Sequence, residues 1–260
     1  MELKYVTCSG ANEHTNIKDM ISLSEQFPKV EFGIQVSGKK CGQGSARESW
    51  LKELIQAIKR ERKSISLALH LNQDWVENFC EGRVTPQLST FLTEKDWEGK
   101  PIFQRVQLNF KIGREKMPQI EMVEEMIKRY PEIRFILSAS EANKNFIRKL
   151  YHRGQVKFDC LYDESFGEGQ LPSDRKYPLF DDVLQGYAGG LSPENVEREL
   201  EKISEKQPYN GKFYIDAEGK LKGENGRLSL ERCEHFIRRA IIWEHIINEH
   251  SFFEGKRIVK

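Results

Sequence analysis

A double-glycine turn in the last third of the chain is the segment with the clearest chemical meaning. Gly189 and Gly190 follow a short apolar run. Ser192 then stands where a helix N-cap is expected, and Pro193 fits the first helical position. Glycines let the backbone approach a ligand closely, and a helix N-terminus presents unpaired N–H groups with partial positive charge. The segment therefore predicts a site for an anion, most often a phosphate.

A carboxylate followed by a glycine-rich loop lies upstream of that turn. Asp163 comes directly after an apolar pair, and Gly167 and Gly169 follow it. Because an unpaired buried acid is costly, packing explains Asp163 poorly. Asp163 either caps a turn or acts as a general acid, a general base or a metal ligand. The order of acid and then anion site suggests an enzyme that acts on a phosphorylated metabolite.

Cys8 and Arg47 each allow two interpretations. Cys8 ends the first predicted strand and is either a small buried apolar residue or a thiolate base or nucleophile. Arg47, in a glycine-rich loop, is either solvated or bound to a substrate carboxylate in a bidentate fork. Other polar residues within or at the ends of strands predict a polar cavity: Glu31, Gln35, His70, Gln107 and Asn109. A lone histidine such as His70 is more often a hydrogen-bonded core residue than a ligand.

Short apolar runs alternate with amphipathic helical runs along the whole chain. The predicted strands span 3–7, 30–36, 66–71, 105–110, 133–137, 158–162, 185–188 and 213–216. Helical spacing marks 50–60, 120–130, 196–203 and 230–249. An open, doubly wound sheet shows the same alternation. The count of eight and the polar residues at most strand ends favour an α/β fold with one (βα)8 TIM-barrel domain over residues 1–260, whose active site lies at the carboxyl ends of the strands.

Composition excludes several classes of partner. The 260 residues carry a formal net charge of +1, so no long-range field draws the chain to nucleic acid or anionic lipid. No apolar run approaches the ~20 residues that cross a bilayer, and the start of the chain lacks a signal-peptide pattern. Five scattered cysteines without CxxC spacing fit a reducing compartment. We expect a cytoplasmic monomer or homodimer without a cofactor.

Seven short segments, in order along the chain, resemble the phosphoribosylanthranilate isomerase family, a (βα)8 enzyme family of tryptophan biosynthesis. The nearly letter-for-letter match is Ala-Gly-Gly-Leu-Ser-Pro-Glu-Asn-Val at 188–196, which is similar to the family's phosphate motif. The others are Val-Thr-Cys-Ser-Gly at 6–10, Ser-Ala-Arg at 45–47, Leu-Ala-Leu-His-Leu-Asn at 67–72, Val-Gln-Leu-Asn at 106–109, Leu-Tyr-Asp at 161–163 and Ile-Asp at 215–216.

The resemblance implies an Amadori rearrangement of an N-linked phosphoribosyl aminoaldose to an aminoketose. By position, Asp163 is the acid that opens the sugar ring and Cys8 is the base that removes the C2 proton. Arg47 would hold the anionic aromatic part of the substrate. Residues expected to bind the substrate are, in addition, His70, Asn109, Gly167, Gly169, Gly189, Gly190, Ser192, Asp216 and Gly219.

Departures from the family keep two other functions open. Glu168 and Glu218 stand in loops where the family binds phosphate, so they would repel a dianion unless they point away or lysines such as Lys220 or Lys222 offset them. A phosphorylated substrate is not expected if either acid occupies the pocket. One alternative is a metal-dependent hydrolase or lyase with Glu31, His70, Asp163 and Asp216 as ligands. The other is a barrel that binds an anion without catalysis.

Overall fold

A closed barrel of parallel strands forms the centre of the molecule. The computed structural model describes residues 1–112, 118–163, 169–208 and 211–257, of which 250–257 are described as backbone only. Within these ranges eight strands pair in chain order, and the last pairs with the first. They are β1 (Glu2–Ser9), β2 (Val30–Val36), β3 (Ser66–Leu71), β4 (Arg105–Leu108), β5 (Arg134–Ser138), β6 (Phe158–Tyr162), β7 (Gln185–Tyr187) and β8 (Lys212–Ala217). The predicted (βα)8 fold is confirmed.

Helices cover the outside of the barrel. They are α1 (Ile17–Gln26), α2 (Gly38–Cys41), α3 (Ala46–Glu61), α4 (Asp74–Cys80), α5 (Pro86–Thr93), α6 (Ile120–Arg129), α7 (Lys144–Arg153), α8 (Val196–Ser204) and α9 (Leu230–Arg257). In α3, Ser45 caps the first turn by accepting a hydrogen bond from the backbone N–H of Glu48, and a stripe that includes Leu51 and Leu54 is buried against the strands. No helix in the described part of the chain is long and apolar enough to cross a membrane.

The connection between β6 and β7 differs from the others because residues 169–184 form an irregular segment, which we call the β6–β7 strap. Side chains of the barrel fix it in place. The Tyr162 hydroxyl donates to the Tyr177 carbonyl at 3.2 Å, and the Tyr187 hydroxyl donates to the Lys176 carbonyl at 2.9 Å. Phe180 stacks on Tyr151 of α7 with a centroid distance of 3.9 Å. The strap therefore occupies the position of a helix between α7 and α8.

Alternation along β1 separates the barrel interior from the helix layer. The Thr7 hydroxyl donates to Glu31, and the Ser9 hydroxyl donates to Asp216, so both side chains point into the barrel. Val6 and Cys8, one residue out of phase, belong to the apolar cluster shared with the helices. Because successive side chains of a strand face opposite sides, Ser9 reaches the interior and Cys8 cannot.

The barrel interior has a charged end, an apolar middle and a polar end. At the amino-terminal ends of the strands, Arg105 pairs with Glu31 at 2.8 Å and with Asp159 at 3.1 Å, all three buried. An apolar cluster lies above this layer and contains Ile136, Leu161, Ala188 and Tyr214. The carboxyl ends of the strands carry mainly polar side chains, and a cavity opens there.

Candidate active site

A polar cavity of about 350 Å³ occupies the mouth at the carboxyl ends of the strands. Amides, hydroxyls, a histidine and three acids contribute to its wall. Most residues predicted to form the site do line it: His70, Asn109, Asp163, Gly169, Gly189, Gly190, Asp216 and Gly219. Cys8, Arg47 and Ser192 are not among its lining residues, and Gly167 lies outside the described residues.

Asp216, from β8, is a buried acid in the cavity wall. The Ser9 hydroxyl donates to its Oδ1 at 2.6 Å, which leaves Oδ2 to carry a proton. Burial, as the largest cause, and repulsion from Glu218, Glu31 and Asp163 together raise the pKa of Asp216 to about 8, although the bond from Ser9 opposes the shift. The side chain is therefore largely protonated at neutral pH and can donate a proton to a bound ligand.

His70, from β3, remains a neutral imidazole. Burial and the charge of Arg105 lower its pKa to about 3. Its Nε2 atom is buried and has no hydrogen-bond partner among the described residues. Gly33 makes room for the ring, since a Cβ there would lie 2.9 Å from Nε2 and would overlap the Ser9 hydroxyl. A buried polar atom without a partner in a cavity is available to a ligand.

Amide side chains form a second part of the wall. Gln107 donates to Asn109 at 2.6 Å, and Asn109 donates to Asn72 at 3.0 Å. The Oε1 atom of Gln107 is buried without a hydrogen-bond partner within the described ranges. Such a row of amides offers both donors and acceptors, which suits a ligand with several hydroxyl groups.

The double-glycine turn presents two backbone donors. Gly189 and Gly190 both have positive φ, +86° and +66°. The buried guanidinium of Arg175 donates to the carbonyls of Ala188 at 2.7 Å and Gly189 at 3.4 Å. In a trans peptide unit the N–H points opposite to the C=O. The N–H groups of Gly189 and Gly190 therefore point away from Arg175, and neither donates to a described residue.

The prediction of a helix N-terminus at Ser192 is wrong. The residues after Leu191 form a turn, and α8 begins at Val196. The Ser192 N–H donates to the Asn195 side chain at 2.9 Å, and the Ser192 hydroxyl accepts from Glu194 N–H at 3.2 Å. Ser192 therefore keeps the turn in shape, and its N–H is not available to an anion.

The interpretation of Cys8 as a base in the cavity is wrong. Its side chain is fully buried between β1 and α9, beside the thiol of Cys233. Burial raises the pKa of the Cys8 thiol well above its usual range, and the neighbouring Cys233 raises it further. A thiol of this kind is not ionised near neutral pH and does not reach the cavity.

Arg47 and Glu31 are each engaged by other residues of the protein and not directed at a ligand. Arg47 pairs with Glu13 and donates to the Gln35 carbonyl at 2.9 Å, so its guanidinium does not form a fork toward the cavity. Glu31 lies at the opposite end of the barrel, where it pairs with Arg105. The described residues contain no group of three or more His, Cys, Asp or Glu side chains arranged to hold a metal ion. The four-ligand metal site that included Glu31 is therefore not formed.

Glu218 does line the cavity. Its carboxylate accepts from Gln35 at 2.7 Å and pairs with Lys222 at 3.2 Å. A phosphorylated substrate was not expected with Glu218 in this position. Lys222 and the lining residue Lys220 reduce the repulsion without removing the acid. Glu168 lies outside the described residues.

Sequence reasoning missed several lining residues, although a signal for them exists. Side chains two residues apart on a strand face the same side of the sheet. The residue two positions after an inward polar residue is therefore also expected to point into the barrel, even where it lies just past the end of the strand. Thr7 leads to Ser9, and His70 leads to Asn72. A strict period of two would have separated Ser9 from Cys8.

Solved structures share this fold at low sequence identity, whereas no protein-family model and no curated protein sequence matches the chain. N-(5'-phosphoribosyl)anthranilate isomerase from Pyrococcus furiosus has a TM-score of 0.51 at 15% identity, covering 91% of this chain and 98% of that one. A glycoside hydrolase family 30 subfamily 8 xylanase from Clostridium acetobutylicum has a TM-score of 0.51 at 11% identity, with coverage of 92% and 69%. 3-Hexulose-6-phosphate synthase from Salmonella typhimurium has a TM-score of 0.48 at 11% identity, with coverage of 92% and 99%. The first two likenesses show the TIM-barrel fold alone.

Proposed function

We propose that the chain is a ketol isomerase that moves a proton between neighbouring carbons of a sugar or an N-linked aminoaldose. The observation that carries the proposal is the buried acid Asp216, whose pKa is raised to about 8, in one cavity wall with Asp163. A catalytic acid must hold its proton at the working pH, and Asp216 meets that requirement. The resemblance in the sequence motifs supports the same class of reaction.

Over the whole reaction the substrate and the two aspartates neither gain nor lose protons. Asp216 gives a proton to the carbonyl oxygen, or to the ring oxygen as its bond to C1 breaks, while Asp163 takes the C2 proton. This step produces an enediol or an enaminol. Asp163 then returns the proton to C1, and Asp216 recovers a proton from the oxygen on C2, which becomes the new carbonyl. Neutral His70 forms a hydrogen bond to a substrate oxygen without adding charge, and the reaction needs no cofactor.

The test is exchange of the C2 proton with solvent. Proton NMR in D2O follows the C2–H signal of neutral aldoses, aldose phosphates and N-linked phosphoribosyl aminoaldoses. We expect one class to lose this signal and form ketose. The comparison of neutral with phosphorylated substrates decides the role of Glu218, which shares the cavity wall with Lys111 and Lys220.

Variants assign the proton transfers. Asp163→Asn and Asp216→Asn should each slow exchange by ~10²–10⁴-fold, the usual contribution of a general acid or base. Cys8→Ala is the matched control, because a thiol outside the cavity should leave turnover unchanged. No exchange with any class, or full activity in Asp216→Asn, would contradict the proposal. Ligand binding without exchange would instead favour the non-catalytic alternative.

A further inference from the structure

A second cavity of about 400 Å³ opens on the outside of the barrel, between α7 and the end of α8. It lies where the irregular β6–β7 strap stands in place of a helix. Its lining residues do not overlap with those of the catalytic cavity. The ones with chemical significance are Lys144, Arg148, Tyr162, Lys176, Tyr177 and Lys206.

The first half of this cavity concentrates positive charge over an aromatic ring. Lys144 and Lys176 both bond to Oε1 of Glu141, and their ammonium groups lie 5.8 and 5.9 Å from the centroid of the Tyr162 ring. The two bonds lower the pKa of Glu141 to about 2. One carboxylate thus binds two ammonium groups.

Arg148 and Lys206 add two further cations to the wall of this cavity. Arg148 is exposed on α7 and makes no hydrogen bond or ion pair with any described residue. Lys206 pairs with Asp174 at 3.0 Å, and its ammonium lies 5.2 Å from the centroid of the Tyr177 ring. Four cationic side chains therefore line this cavity, on a chain whose overall charge is only +1.

The second half of the cavity offers a flat ring. Tyr177 is 68% exposed, more than any other large hydrophobic or aromatic side chain noted as exposed in the described chain. The bond from the Tyr162 hydroxyl to the Tyr177 carbonyl joins the two halves. An exposed aromatic face binds a nucleobase by stacking, and clustered lysine and arginine side chains bind phosphates.

We propose that this cavity binds a nucleotide, with the phosphate chain among Lys144, Arg148 and Lys176 and the base stacked on Tyr177. The site is independent of the proposed isomerase reaction. Arg175 of the strap holds the carbonyls of Ala188 and Gly189, so the strap that lines the nucleotide site also contacts the turn at the catalytic mouth.

Isothermal titration calorimetry with the full chain tests the site. The ligands are ATP, tripolyphosphate and adenosine. Tripolyphosphate carries the phosphate charge without a base, and adenosine carries the base without phosphates. Titrations in EDTA exclude a bridging metal ion. ATP should bind most tightly. Tyr177→Ala should weaken ATP about fivefold or more without affecting tripolyphosphate, because only ATP loses a stacking partner.

Arg148→Glu should weaken both ATP and tripolyphosphate about tenfold or more. Arg60→Glu is the matched control, because its side chain is 71% exposed on α3 and the change in net charge is the same. Both substituted residues of the site are exposed, so thermal unfolding should confirm intact folding. Equal affinities of the wild-type chain for ATP and tripolyphosphate would overturn the proposal, as would equal effects of Arg148→Glu and Arg60→Glu.

Discussion

Asp216 illustrates at the scale of one residue how the barrel interior controls protonation. It faces other acids and a serine hydroxyl, and the strongest influence on its pKa is removal from water, which favours the neutral acid. Burying the neutral form of this side chain costs little free energy of folding, whereas burying the ionised form at higher pH costs more. The same environment that prepares it to donate a proton therefore makes the fold sensitive to alkali.

The first prediction is that Asp216→Asn removes this sensitivity to alkali. The pKa is raised from an ordinary value near 3.8 to about 8. The folded state thus holds the proton more tightly than the unfolded state, and stability is full below pH 4 and declines as the pH rises to 8. The decline approaches about 1.4 kcal/mol per pH unit within that window.

Urea unfolding at pH 5 and pH 9 measures this effect. Asn mimics the protonated acid and still accepts the bond from Ser9, so the variant should be slightly more stable than the wild type at pH 5 and much more stable at pH 9. It should also be inactive at both. Parallel stability curves for the two proteins would show that Asp216 is not held in its neutral form.

The choice between two adjacent residues, Cys8 and Ser9, also decided which side chain was predicted to face the cavity. Cys8 and Ser9 are adjacent, and the family resemblance drew attention to the cysteine. The alternation of Val6, Thr7, Cys8 and Ser9 contains the correct answer, because the apolar members share one face and the hydroxyls share the other.

The β6–β7 strap is the element that departs most from a regular barrel. Pro172 and Pro178 disfavour a helix in this segment, because proline cannot donate the backbone hydrogen bond that a helix interior requires. Strand periodicity predicted the eight strands, and helical spacing predicted α3, α6, α8 and α9. Periodicity could not predict that Arg175 of the strap would bond to the Ala188 and Gly189 carbonyls, since that contact depends on the folded path of an aperiodic segment.

The second prediction concerns Arg175. The guanidinium pairs with Glu199 at 3.0 Å and bonds to the Ala188 and Gly189 carbonyls, and it is buried. Arg175→Lys replaces the planar fork by a single ammonium, which cannot make all three contacts. We expect a loss of about 2–4 kcal/mol in the free energy of unfolding. We also expect faster amide exchange at Ala188 and Ser192, whose hydrogen-bonded N–H groups flank the two glycines.

Hydrogen exchange followed by mass spectrometry measures the turn directly. Arg198→Lys is the control, because Arg198 also approaches Glu199, at 3.7 Å, but is 64% exposed. Exchange at the turn that is no faster in Arg175→Lys than in this control would mean that Arg175 does not orient the glycine peptides.

At the scale of the whole molecule, the two ends of the barrel divide structural and chemical roles. The amino-terminal end is closed by a buried ionic layer, and the carboxyl end holds the cavity. The sequence predicted the barrel because strand count and spacing are local properties. The sequence could not place Glu31 in the ionic layer at the amino-terminal end of the barrel. Glu31 pairs with Arg105, which also pairs with Asp159, and both partners come from distant strands whose register is fixed only on folding.

The last prediction tests that structural layer. Arg105 lies between two acids and over two rings, 4.5 Å from the centroid of Tyr5 and 4.2 Å from that of Tyr214. Arg105→Met retains apolar volume but leaves the Glu31 and Asp159 carboxylates without their shared cation. Breaking a buried ion pair by removing one partner destabilises by about 3–5 kcal/mol, and urea unfolding should show a loss of this size at pH 7.

Two further variants separate charge from packing. Glu31→Gln combined with Arg105→Met should recover part of the loss, because it removes an acid that the single variant leaves unpaired. Arg129→Met is the surface control: its partner Glu125 is exposed, so the free energy of unfolding should hardly change. If Arg105→Met were no more damaging than Arg129→Met, the ionic layer would not hold the barrel closed. If the double variant recovered nothing, the loss would come from the aromatic contacts of Arg105, and the two carboxylates would be stable without it.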